Sequence, residues 1–205
     1  MRESHHALSP KQIEIADAAL KIVGERGISA LTTASLAQEL GVSSGAPFRH
    51  FESRDEILEA AVQRVAEMVG DTYPKVALPP MERLEALFLA RVHTVGKQVG
   101  VARFIFSEQF ALALPPAAAE QMLDLVRDTR AFVLRALQEG IECGEIRRDL
   151  PPKALLPIVL GTLQHLVFLN ALPPGLGKAP KATEIFASLS CLLAPNPTSR
   201  VEALP

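Results

Sequence analysis

The sequence predicts an all-α protein of about nine helices, and three observations carry that prediction. Trp is absent, Tyr occurs once and aromatics make up 5% of 205 residues, well below the usage of a β-sandwich or barrel. Apolar residues recur at helical spacing along most of the chain, and the breaks between these segments fall on Gly, Pro and Ser. No convincing set of strands is present.

The elements follow in order. Ser9-Pro10-Lys11-Gln12 reads as a capping box with Pro at the first helical position, and Ile13, Ala16, Leu20 and Val23 then repeat on one face until Gly24 and Gly27. Thr32-Thr33 opens a short second helix with Leu36, Ala37 and Leu40 on one side, and Gly41 stops it. Ser43-Ser44 is expected to cap a third helix running through Phe48 and Phe51. Pro47 makes Ser44 the better cap, because a proline deep in the helix would delete a bond. Ser53-Arg54-Asp55-Glu56 is a second capping box, launching a long helix through Ile57, Ala61, Val65 and Val69. Residues 73–80 hold three prolines and read as a linker. Helical periodicity resumes over 81–99, 101–110, 117–143, 153–172 and 181–193, and the tail from Pro195 reads as disordered.

Composition bounds the function. Hydrophobic residues make up 48% of the chain, more than a core of this size needs, so a partner is expected to cover some of them. Cys143 and Cys191 form no C-x-x-C pair, which argues against a disulfide framework or zinc site and for a reducing cytoplasm. The polar start MRESHHALSP has no apolar signal-peptide core. The apolar stretch 155–169 is interrupted by Gln164 and His165 and reads as a buried helix rather than a bilayer span. Net charge is −2, and residues 1–60 carry six Lys and Arg against nine Asp and Glu. Bulk charge therefore gives no support to a nucleic-acid partner, and any such case must come from local pattern.

That pattern lies between Leu31 and Phe51: helix, glycine turn, helix, with Ala37 small where the two backbones approach. It is the layout of a helix-turn-helix whose second helix enters the major groove. Thr33, Leu36-Ala37, Gly41-Val42-Ser43, Gly45, Phe48, His50-Phe51 and Arg54 closely resemble the TetR/AcrR family of transcriptional regulators, with Ala16, Leu20 and Gly27 fitting as well. The resemblance is specific over residues 10–65 and architectural beyond, apart from Gly144-Glu-Ile-Arg-Arg-Asp-Leu150. It implies a DNA-binding domain over 1–54 and an effector-binding and dimerisation domain over 55–205. It also implies that Thr33, His50 and Arg54 bind phosphates while Ser43, Ser44, Ala46, Pro47 and Arg49 face the groove. Phe48 stands where the family commonly has Tyr, so a phenolic phosphate contact is lost.

Two other readings remain. Gly41-Val-Ser-Ser-Gly45 matches the nucleophile elbow of serine hydrolases, but that motif needs a strand before it and a helix is expected there. A helical dimer without DNA affinity fits the acidic N-terminal part. The five histidines show no metal-ligand spacing and no phosphate loop is present, so neither metal, cofactor nor catalytic residues are expected.

The segments 153–172 and 181–193 are apolar nearly all round, and a second copy is the simplest cover. Leu155, Ile158, Val159, Gly161, Leu166, Phe186 and Leu189 are the expected homodimer residues. The family resemblance further implies operator DNA as a palindrome and release by a small effector. Phe88, His93, Phe104, Phe106, Gln109, Phe110, Phe132 and Gln164 are its expected lining, and their character points to an apolar or aromatic compound.

Overall fold

The computed structural model describes residues 7–106, 112–171 and 180–196. Among them are eight α-helices, two single 3₁₀ turns and no strand. We number the helices α1 (Pro10–Arg26), α2 (Thr33–Leu40), α3 (Arg54–Gly70), α4 (Pro80–Thr94), α5 (Val99–Phe106), α6 (Pro116–Cys143), α7 (Pro152–Asn170) and α8 (Ala182–Leu193). The expected extension of α5 to 110 and the breaker run Pro173-Pro174-Gly175 lie outside the described residues. Two compact units are formed, one drawn from Met1–Met68 and Gln98–Leu125, the other from Val69–Lys97 and Val126–Pro205.

In the first unit α1 begins as expected. The Ser9 side chain accepts from the Gln12 N–H, and the Gln12 side chain accepts from the Ser9 N–H, at 3.4 and 3.0 Å. Ile15, Ala16, Ala19, Leu20, Ile22 and Val23 are buried, and Gly27 at φ +84° ends the helix. The bound that shifts most concerns Gly100. The sequence reading breaks the chain there, whereas α4 ends at Thr94 and Gly100 lies inside α5. A Cβ on Gly100 would sit 2.1 Å from the Leu20 carbonyl oxygen. The missing side chain lets α5 lie directly on α1, so this glycine serves packing rather than termination.

In the second unit α4 packs on both α7 and α8. Leu84, Leu87 and Phe88 are buried on α4, Leu155, Val159, Leu163 and Leu166 on α7, and Phe186 and Leu189 on α8. Phe88 meets Phe186 with ring centroids 5.4 Å apart. The segment read as a linker is anchored at its start: Thr72 is buried, and Tyr73 packs on Phe132 at 5.0 Å and hydrogen-bonds the Thr129 hydroxyl. The α7 helix has the length and composition to cross a membrane, and 39% of its apolar window is buried inside the chain.

Candidate nucleic-acid interface

The turn after α2 is built by hydrogen bonds. Gly41 takes φ +66°, ψ +31°, its N–H donates to the Gln38 carbonyl at 3.2 Å, and the Val42 N–H donates to Ala37 at 3.0 Å. These two bonds form a Schellman cap, which needs a left-handed residue at that position. Gly41→Ala should cost about 1 kcal/mol of stability, read as a lower melting temperature, because nothing crowds its Cβ and only the backbone conformation resists.

At its other end α2 is capped by Thr32. The Thr32 hydroxyl accepts from the Ser35 N–H at 3.1 Å, and the Thr32 N–H donates to the Ser35 hydroxyl at 2.9 Å. Thr33 is the first helical residue and its side chain is exposed. Of the Thr pair, Thr32 takes the cap because it has the extended backbone, φ −115°, ψ +162°, that an N-cap needs.

The expected third α-helix is not formed. Residues 43–46 make a turn closed by the Ala46 N–H on the Ser43 carbonyl at 3.0 Å, and Pro47–Arg49 make one 3₁₀ turn. Pro47 explains the difference: it has no N–H to return a bond to Ser43, so the segment closes with shorter loops from Arg49 to Ala46 and from His50 to Pro47. Pro47 is itself buried and Phe51 is 5% exposed, while Phe48 is 37% exposed. Phe51 is thus the packing residue of the pair, and Phe48 is exposed.

Around this turn Ser43, Ser44, Gly45, Arg49 and His50 are exposed and Ala46 is half-buried. Thr33 and Phe48, in the same α2–turn segment, are exposed as well. Two interactions fix its shape. The Gln12 side-chain amide donates to the His50 carbonyl at 3.3 Å, tying the start of α1 to the end of the turn. Arg54 donates through Nε to the Leu31 carbonyl and through Nη2 to the Ile28 carbonyl, both at 3.1 Å. Arg54 therefore braces the chain entering α2, using donors that the sequence reading reserved for phosphate. Its helix is capped by Ser53, whose hydroxyl accepts from the Glu56 N–H at 3.1 Å, while the Glu56 carboxylate takes the Glu52 N–H. Ser43 follows a helix and no strand occurs among the described residues, so the serine-hydrolase elbow finds no scaffold there.

The other expected sites lie in more than one setting. Phe88 is in the core of the second unit and Phe132 is half-buried against Tyr73, while His93 and Gln164 are exposed, with His93 Nε2 3.3 Å from Lys97 Nζ. The side chains of Phe104 and Phe106, and the whole of Gln109 and Phe110, lie outside the described residues. Of the dimer residues, Leu155, Val159, Leu166, Phe186 and Leu189 are buried within the single chain, whereas Ile158 and Gly161 are exposed. The sequence reading named Gln12 as part of a capping box and Thr32 as part of a helix start, but not the Gln12 bond to the His50 carbonyl, for which spacing offered no signal.

Comparison with known proteins agrees with this geometry. Residues 15–61 match the model of the bacterial regulatory proteins of the tetR family. The HTH-type transcriptional repressor DhaR of Mycobacterium sp. (strain GP1) is 24% identical over 168 residues, spanning 78% of this chain and 82% of that protein. The structure of the ketosteroid transcriptional regulator KstR2 of Mycobacterium tuberculosis superposes with a TM-score of 0.76 at 22% identity, over 94% of this chain and 99% of that one. AibR, solved in complex with isovaleryl coenzyme A and operator DNA, gives a TM-score of 0.72 at 15% identity, over 89% and 97%. The chain thus carries the N-terminal module of the bacterial regulatory proteins of the tetR family across α1, the helix-turn and the start of α3, and shares the fold of these solved regulators along nearly its whole length.

Proposed function

We propose that this protein is a cytoplasmic repressor that binds palindromic operator DNA as a homodimer and is released by a small-molecule effector, acting by binding rather than by catalysis. The observation that carries the reading is the α2–Gly41–3₁₀ turn, with Thr33, Ser43, Ser44, Phe48, Arg49 and His50 at its surface and Pro47 and Phe51 packed beneath. A helix start offers free N–H groups and positive dipole to a phosphate, and the exposed Thr33 hydroxyl adds a donor there. Arg49 and His50 supply further backbone contacts. Ser43, Ser44 and Ala46 are short enough for close approach to base edges. Functionally, residues 1–54 would carry the DNA contacts and 55–205 the effector and dimer surfaces.

The dimer surface we assign to the uncovered side of α7 and α8. Ile158, Gly161 and Phe168 fall on one face of α7 and are exposed, Ile158 at 49% and Phe168 at 43%, while Leu192 on α8 is 63% exposed. Apolar exposure on two consecutive helices suits a four-helix pairing about a two-fold axis. The effector site we place in the second unit, with Phe132 among its walls.

The test is fluorescence anisotropy with the DNA upstream of the protein's own gene, run as a salt series. Binding should outcompete random duplex and weaken steeply with salt, since released counterions set the slope. Arg49→Ala should flatten that slope by about one, as one phosphate contact is lost. Thr33→Ala should weaken binding about tenfold, the loss of a hydrogen bond to a charged group. If no duplex binds at low salt, the reading fails and a helical dimer without DNA affinity takes its place.

A further inference from the structure

On α4 the buried apolar residues are Leu84, Leu87, Phe88 and Val92, and Arg91 lies among them, seven residues after Leu84. Arg91 is 8% exposed. Its Nε donates to the Thr72 hydroxyl at 2.8 Å, and that hydroxyl passes its own proton to the Val69 carbonyl at 2.6 Å. The guanidinium stands over the Tyr73 ring, 5.5 Å from its centroid. Its Nη2 is buried and meets no acceptor. Arg83, one helical face along α4, differs: it too has a buried donor unmatched at Nε, but its charge is neutralised by an ion pair with Glu139. Arg91 forms no ion pair with any described carboxylate, and burial holds its guanidinium below the usual arginine range.

A buried cation with no counter-ion is among the costliest features a core can hold, and a ring face offsets only part of that cost. Such a group persists where something outside the chain completes it. Resting on the effector-regulated reading above, we infer that Arg91 anchors the effector, and that the effector is an ionised carboxylic acid on an apolar body. The charge balance selects the class: one guanidinium with an open Nη2 neutralises one negative charge and can donate to a carboxylate oxygen, whereas a phosphate dianion would leave a charge over. The surroundings select the body. Tyr73 has its hydroxyl engaged by Thr129 and lies against Phe132, so the neighbourhood offers ring surface and no second cation from the groups that contact Arg91.

The experiment uses the full chain without DNA, so that its outcome is independent of operator binding. Calorimetry and thermal melting are run with octanoate and 4-phenylbutyrate, each beside its uncharged primary amide. At about one hundred times Kd the acids should raise the melting temperature by roughly 5–10 °C. The amides should bind about 10- to 100-fold more weakly, the loss of a charge-assisted hydrogen bond. Arg91→Met should abolish that preference while melting at or above the wild-type temperature in the absence of acid, because an unpaired buried charge has been removed. Arg91→Lys should retain a weakened preference and serves if the methionine variant does not fold. Wild-type protein that responds equally to acids and amides, or to neither, overturns the inference, as does an acid response undiminished in Arg91→Met. Acid binding lost in Arg91→Met by a protein that binds no duplex would leave the anion site standing and remove the operator reading alone.

Discussion

Gly100→Ala is expected to lower stability by about 3 kcal/mol or more, because the added methyl has nowhere to go. Its Cβ would stand 2.1 Å from the Leu20 carbonyl oxygen, 2.7 Å from the Leu20 carbonyl carbon and 3.3 Å from the Lys21 nitrogen. All three are backbone atoms inside α1, so no rotamer change relieves the contact and the two helices must separate. Around them Leu20, Val101 and Ala102 are buried and would lose packing as the gap opens. The gain in intrinsic helix propensity, about 1 kcal/mol, offsets a minority of this cost. For a chain of this size the melting temperature should fall by roughly 6–12 °C. Gly70→Ala is the control: that glycine ends α3 with open space about its Cβ, and its effect should stay within about 1 kcal/mol. Equal melting of Gly100→Ala and wild type would refute the close packing of α5 on α1.

Ile158→Asp is expected to convert the proposed homodimer to monomer at micromolar concentration and to cost more than about 100-fold in operator affinity. Ile158 is 49% exposed in the single chain, so a charge there costs little in the monomer. In a two-fold interface it is introduced twice, loses about 2 kcal/mol of apolar burial each time, and buries a carboxylate without a partner. A monomer holds one half-site and loses the gain from binding the second as an intramolecular event. Sedimentation should show the monomer and anisotropy the loss of affinity, with the melting temperature nearly unchanged. Val159→Asp makes the contrast, since Val159 is 3% exposed inside the chain and its replacement should unfold the second unit. A dimeric Ile158→Asp would move the interface elsewhere.

The sequence was legible where local chemistry alone decides the outcome. The Ser9–Gln12 capping box, the Gly41 stop after α2 and the helical stripes of α1, α3, α6 and α8 depend on neighbours within a few residues, and all are present in the structure. The choice between Thr32 and Thr33 as cap was beyond it, because both residues have the right hydroxyl and only the backbone dihedrals separate them. Pro47 was noticed, but moving the cap to Ser44 was too small an adjustment: the whole segment relaxes to a turn and one 3₁₀ loop. Spacing alone could not separate intrachain from interchain cover in the last helices. Leu155, Val159, Leu166, Phe186 and Leu189 read as interface because their helices are apolar all round, and they are already buried within the single chain, where α4 packs on both helices.

By itself the sequence determined an all-helical fold, the helix–glycine–turn order of the N-terminal module and its likeness to the TetR family, since periodicity, caps and turn residues act over a few positions. Tertiary structure decided what depends on distant partners. It made Gly100 a contact point rather than a helix stop, through the Leu20 carbonyl. It turned Arg54 toward the Leu31 and Ile28 carbonyls. It also placed Arg91, on the apolar side of α4, in the interior with no counter-ion among the described residues. The physical reason is common to all three: a residue's spacing shows which face it occupies, but only the surrounding elements show which atoms it meets there.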